Sequence, residues 1–190
     1  RPTRMRMASH GAAPTPDCTA PNIWRASFGG PAWEGHPLRH QSYMHIFLTS
    51  QPDLNFHNPE VQEAVLDVAR FWLDRGVDGF SLDTVNKYVH DKALRDNPPM
   101  EPGRSATIDQ SNPIAMQQPL YSINRPENLK FVERLRALLD QYPGTTTVGE
   151  IGNRMRDGPE LGQYTAPGRL HMAYSFDLLH LPIRPALVRE

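Results

Sequence analysis

Apolar residues fall into helical and strand-like patterns in alternation along this chain. Val61, Val65, Val68 and Trp72 recur at i, i+4, i+7 and i+11, the repeat of one helical face. Asn58 is a capping residue, Pro59 suits a first helical position and Gly76 is a natural stop. A helix is therefore predicted from Pro59 towards Gly76, with Trp72 in the core. A second helix is predicted from Pro126, lined by Leu129, Val132 and Leu139 with Phe131, Leu135 and Leu138 adjoining, and closed by Tyr142-Pro143-Gly144. Short apolar or β-branched runs follow the helices: 77–83, 145–150 and 171–176 read as strands.

The remaining stretches lack a period. Residues 1–35 are rich in Pro, Gly and Ala and read as loop. Residues 36–57 hold one apolar patch, Tyr43 to Leu48, then the turn-like Gln51-Pro52-Asp53-Leu54-Asn55. Residues 90–124 are irregular, and a loop of that length inside a domain is usually functional or disordered. The basic opening, Arg1 to Met7, has no apolar segment of the secretory kind, and Ala186 to Glu190 resembles the start of a helix. Both ends read as cut from something longer. Alternation of helix and strand argues for βαβ units and a parallel sheet.

Composition narrows the function. The 190 residues carry 20 Lys and Arg against 21 Asp and Glu, a formal net charge of −1. That balance offers no footprint for nucleic acid or anionic lipid, and no apolar run reaches membrane-spanning length. The single cysteine, Cys18, excludes a disulfide framework and a cysteine-rich zinc site. The eight histidines (His10, His36, His40, His45, His57, His90, His171 and His180) show no clustered metal spacing and read as scattered structural or surface residues. Trp24 and Trp33 are candidates for stacking on sugars.

Two of the predicted strands end in a carboxylate, Asp83 and Glu150. Functional groups of a parallel α/β barrel stand at the carboxyl ends of its strands. A facing pair of acids is what glycoside hydrolysis needs. One, ionised, attacks the anomeric carbon; the other, protonated, gives its proton to the leaving oxygen. Spacing alone is a weak argument among 21 acidic residues, and a turn-capping Asp83 with a solvated Glu150 is the plain alternative.

At these residues the chain resembles a known family. Gly79-Phe80-Ser81-Leu82-Asp83 is similar to the nucleophile strand of the alpha-amylase family of glycoside hydrolases (family 13), and Thr147-Val148-Gly149-Glu150 to its acid/base strand. Gln51-Pro52-Asp53-Leu54-Asn55 resembles the segment marking the alpha-glucosidase and oligo-1,6-glucosidase branch. Phe28 to Glu34, Phe47 to Ser50 and Leu94 to Pro99 are similar to bacterial members of that branch. The resemblance runs from about Asn22 to Glu190. It implies an α/β fold, part of a TIM (β/α)8 barrel covering about strands four to six. Residues 1–55 would be the end of an inserted loop-rich domain, partly disordered, and 56–190 the middle of the catalytic barrel. It implies Asp83 as nucleophile, Glu150 as general acid/base, and Thr84 as a substrate-binding position that influences linkage.

Two departures stand out. The family carries arginine two residues before the nucleophile, where this chain has Ser81; a cation there would keep the carboxylate ionised and in place. The family's earlier Asp and Asn-His motif and its later Asn-His-Asp motif are not found, and neither Asn86 nor His90 matches them. Asp53 resembles a metal-binding position of some relatives, yet neighbouring ligands are not evident, so neither metal nor cofactor is expected. The expected activity is that of a fragment of a retaining alpha-glucosidase acting on short oligosaccharides or disaccharides, inactive in isolation. The alternatives are a catalytically silent relative that binds sugar or a partner protein, and a transglycosylating or sucrose-isomerising sister. With no export signal visible, a cytoplasmic location is expected; the oligomeric state is open.

Overall fold

The computed structural model describes residues 19–38, 40–101, 113–152 and 161–176. Cys18, the basic opening and Ala186 to Glu190 lie outside the described residues. In chain order the elements are β1 (Trp33–His36), β2 (Gln41–Met44), α1 (Pro59–Leu73), β3 (Gly79–Leu82), α2 (Pro126–Leu139), β4 (Thr146–Ile151), α3 (Leu161–Tyr164) and β5 (Met172–Ser175). Two short 3-10 turns, Val85–Lys87 and Pro113–Met116, break the irregular stretch.

The predicted helices form as their caps direct. The Asn58 side chain accepts the Glu60 N–H at 3.0 Å, and Pro59 opens α1. Gly76, at φ +84°, ends its last turn. The buried side of α1 is Val61, Leu66, Ala69 and Leu73, whereas Val68 is 60 % and Trp72 48 % exposed. The expectation of a core Trp72 is thus corrected. The apolar part of α1 is wider than one stripe, and the side facing α2 and the sheet wins.

The strands β3, β4 and β5 form one parallel sheet in that order, joined through α2 and then α3. This is the βαβ arrangement the alternation implied. Side chains alternate across it. Phe80 and Leu82 of β3 pack against a buried cluster that includes Leu66, Leu73, Phe131 and Leu135. Thr147, Gly149 and Ile151 of β4 point the same way and are buried. A Cβ on Gly149 would sit 2.5 Å from Leu170 Cδ1 and 3.0 Å from Val85 Cγ1. The missing side chain is what lets these residues close over the sheet.

The other face carries Ser81, Val148, Glu150, Met172 and Tyr174. Met172 is 52 % and Tyr174 42 % exposed. In a closed (β/α)8 barrel this is the interior face, filled by layers of side chains. The three described strands leave Ser81, Met172 and Tyr174 exposed on it.

Residues expected to be loop contain a hairpin: β1 pairs antiparallel with β2, from Trp33 opposite Met44 to His36 opposite Gln41. Four-residue strands are too short to declare themselves by alternation. The hairpin has its own cluster of Trp24, Ala32, Trp33, Met44 and Ile46. Trp24 and Trp33 are buried, and their indole N–H groups donate to Arg95 O at 2.9 Å and Asn22 Oδ1 at 2.8 Å. Both are core residues, which corrects the expectation that they stack on sugars.

Candidate active site

Parallel pairing sets Leu82 beside Gly149. One residue further on come Asp83 and Glu150, which a continued register would set level, their backbones about 4.8 Å apart by strand spacing. Residues level in a parallel pair point to the same face, here the exposed one. The strand on the other side sets Tyr174 beside Glu150, and the Tyr174 hydroxyl donates to Glu150 Oε2 at 2.9 Å. Tyr88 lies behind β3, stacked on Phe56 at 5.2 Å, and its phenol feels the charge of both acids. Burial, then the charges of Asp83 and Glu150, push its phenol up to about 12. The hydrogen bond to Glu150 leads the causes that raise Tyr174, and Asp83 adds to them.

The turn after β3 is tight. Thr84 adopts a left-handed conformation, φ 42° and ψ 45°, and its carbonyl accepts the Lys87 N–H at 2.9 Å. A β-branched residue seldom takes positive φ, and such strain gathers at functional sites. The turn bends the chain away directly after Asp83, leaving that carboxylate exposed at the strand end. Among the described residues Asp83 makes no ion pair.

Buried amides hold the turn. Asn86 is fully buried, and its Nδ2 donates to Asn124 Oδ1 and to the Gly152 carbonyl, each at 2.9 Å. Asn128, also fully buried, donates to the Val85 carbonyl at 2.6 Å and to the Tyr164 hydroxyl at 3.3 Å. Asn128, Tyr88 and Tyr174 escaped sequence reasoning, and Asn86 stood out there only as matching no family motif.

A cavity of about 500 Å³ opens beside β3 on its helix side, lined among others by Phe47, Asp53, Asp83, Thr84, Lys87 and Tyr88. It reaches Asp83 but not Glu150, so it is not the space between the acids. Asp53 is tucked into it. Burial pushes its carboxyl up to about 6 against the Ile46 N–H, which donates to Oδ2 at 2.8 Å, and against Lys87. His57 and His90 meet edge to face at 5.2 Å, with His57 Nε2 donating to the His90 carbonyl at 2.8 Å. Trp24 packs edge-on against His90 at 5.5 Å. Of the scattered histidines, these two therefore come together, in packing. No group of three His, Cys, Asp or Glu side chains fit to hold a metal occurs among the described residues. No described helix is long and apolar enough to cross a membrane.

A parallel βαβαβ unit is the repeat from which a (β/α)8 barrel is built. The chain belongs to the alpha-amylase family: the model of the alpha amylase catalytic domain matches residues 8–186. A probable alpha-glucosidase of Rhizobium meliloti (strain 1021) is 53 % identical over 167 residues, covering 86 % of this chain and 30 % of that protein. An oligo-1,6-glucosidase of Parageobacillus thermoglucosidasius is 34 % identical, covering 87 % of this chain and 28 % of that one. The crystal structure of an alpha-glucosyl transfer enzyme superposes with a TM-score of 0.88 at 48 % identity, over 97 % of this chain and 35 % of that one. The chain thus spans about a third of the length of these relatives.

Proposed function

We propose that the chain carries the nucleophile and the acid/base of a retaining alpha-glucosidase acting on short oligosaccharides or disaccharides. Asp83 is the nucleophile and Glu150 the acid/base. The observation that carries this reading is the register: Leu82 beside Gly149 and Glu150 beside Tyr174 bring both acids to one face. In the first step the Asp83 carboxylate forms a bond to the anomeric carbon while the glycosidic bond breaks, and the Glu150 carboxyl hands its proton to the departing oxygen. In the second, the Glu150 carboxylate takes a proton from water as that oxygen attacks the anomeric carbon and frees Asp83. Thr84, at the bend beside Asp83, contacts the sugar and bears on linkage. Residues up to about 55 belong to an inserted subdomain, a reading supported by the separate apolar cluster around Trp24 and Trp33.

A second reading has a specific observation behind it. The solved relative named as a glucosyl transfer enzyme is 48 % identical, so a sugar hydroxyl can replace water as acceptor. Product analysis with maltose separates the two, since transfer yields trisaccharides.

The test exchanges this chain's aligned residues for their counterpart in the Rhizobium meliloti relative, which supplies the remaining strands. The chimera, with Ser81→Arg, is expected to hydrolyse maltose with retention. A fluorinated glucosyl fluoride is expected to leave its sugar on the peptide holding Asp83. Turnover that survives Asp83→Asn, or a label elsewhere, refutes the assignment.

A further inference from the structure

We propose that Tyr174 is a positioning residue for Glu150: its hydroxyl holds one carboxyl oxygen, so the proton given to the leaving group is carried on the other. The inference rests on the glycosidase reading above. The Tyr174 hydroxyl donates to Oε2 at 2.9 Å, and the two residues stand side by side in the parallel register. The ring is steadied by Phe176, edge-on at 6.0 Å. The titratable groups near Glu150 are Tyr174 from β5, which bonds it, Tyr88, whose phenol feels its charge, and Asp83, which follows the neighbouring strand β3. None of them is a cation, and Glu150 makes no ion pair among the described residues. The hydrogen bond to Glu150 and the nearby negative charges raise the Tyr174 phenol, so it keeps its proton and remains a donor.

The consequence is a choice of oxygen. While Glu150 is neutral, Oε2 accepts from Tyr174 and the acidic proton resides on Oε1. While Glu150 is ionised, the same bond leaves Oε1 free to take the proton from water. One hydrogen bond thus serves both steps without itself transferring a proton.

The test uses the Ser81→Arg chimera. Tyr174→Phe is expected to lower kcat/KM for maltose about tenfold, the scale of a lost hydrogen bond to a charged group. For 2,4-dinitrophenyl glucoside, whose phenolate departs without a proton, the change is expected to stay under about twofold. Equal loss on both substrates, or loss on neither, overturns the inference while leaving the glycosidase reading intact. A parent chimera that cleaves neither substrate overturns both. A second measurement needs no activity: in the 190-residue chain, Glu150→Gln is expected to let Tyr174 ionise at lower pH in a tyrosinate absorbance titration. An unchanged titration also counts against the inference.

Discussion

Asn86 Nδ2 lies 2.9 Å from the Gly152 carbonyl oxygen and donates to it, joining a point three residues past Asp83 to one two residues past Glu150. The same nitrogen donates to Asn124 Oδ1, while the Asn86 carbonyl accepts the Asn124 N–H at 2.8 Å. Both acid-bearing strand ends are thereby fixed to the segment that leads into α2. Asn86→Ala strips a fully buried site of these bonds and leaves the Gly152 carbonyl without its donor. A loss of about 2–3 kcal/mol is expected, read as a fall in the urea midpoint. A loss below about 0.5 kcal/mol would show that water replaces the amide.

Asp53 is expected to cost stability at neutral pH. Its folded value of about 6 lies above the ordinary carboxylate value of about 3.9. The folded chain therefore holds the proton more tightly, and stability rises as pH falls from about 6 towards 4. Asp53→Asn keeps an oxygen for the Ile46 N–H and removes the buried charge. The variant is expected to gain about 2 kcal/mol at pH 7.5 and almost nothing at pH 3, measured by denaturant midpoints at the two values.

Asp91 has the opposite sign. Its hydrogen bonds from Arg95, at 2.7 and 3.0 Å, lead the causes that lower its carboxyl to about 2, helped by the charges of Arg95 and Arg125. The stabilisation is complete above about pH 4 and disappears as pH falls towards 2. Arg95 is half exposed, so solvent screens part of the attraction. Asp91→Asn is expected to lose about 1–2 kcal/mol at pH 7. The gap from the parent should close by pH 2 to 2.5 in thermal melts.

Gly149→Ala tests the packing behind Glu150. The added methyl meets Leu170 and Val85 at 2.5 and 3.0 Å. The Leu170 tip can rotate but Val85, fully buried at the start of its turn, has little room. A destabilisation of about 1–3 kcal/mol is expected. Substitution at Gly162, which has open space about it, is the comparison and should cost well under 1 kcal/mol.

Ser81 lies on the exposed face, two residues before Asp83, and a neutral hydroxyl there supplies no charge to the carboxylate. In the chimera, Ser81→Arg is expected to raise kcat/KM for maltose by tenfold or more. An equal or lower rate would mean that another cation, from the relative's own strands, already serves Asp83. The 190-residue chain alone is expected to release no p-nitrophenol from p-nitrophenyl α-glucoside, since it spans 30 % of the Rhizobium meliloti relative.

The sequence by itself determined the helices α1 and α2, through their apolar repeats and the prolines that open them, and the three parallel strands, through short apolar runs between turn residues. It also brought out Asp83 and Glu150, because both stand at strand ends and within recognisable motifs. Tertiary structure decided the rest. Which side of α1 is buried depended on what α2 and the sheet offered, so Val68 and Trp72 turned outward although they fit the repeat. The hairpin of β1 and β2 was hidden because four residues carry too little alternation, and Trp24 and Trp33 became core only once the hairpin folded over them. The amides of Asn86, Asn124 and Asn128 are polar residues in irregular sequence and gain meaning only through partners tens of residues away. Register, too, is a property of pairing: a shift of one residue would turn Glu150 to the helix side and Gly149 to the open face. Local pattern states which residues can form a strand, but contacts between distant segments set which acid faces which.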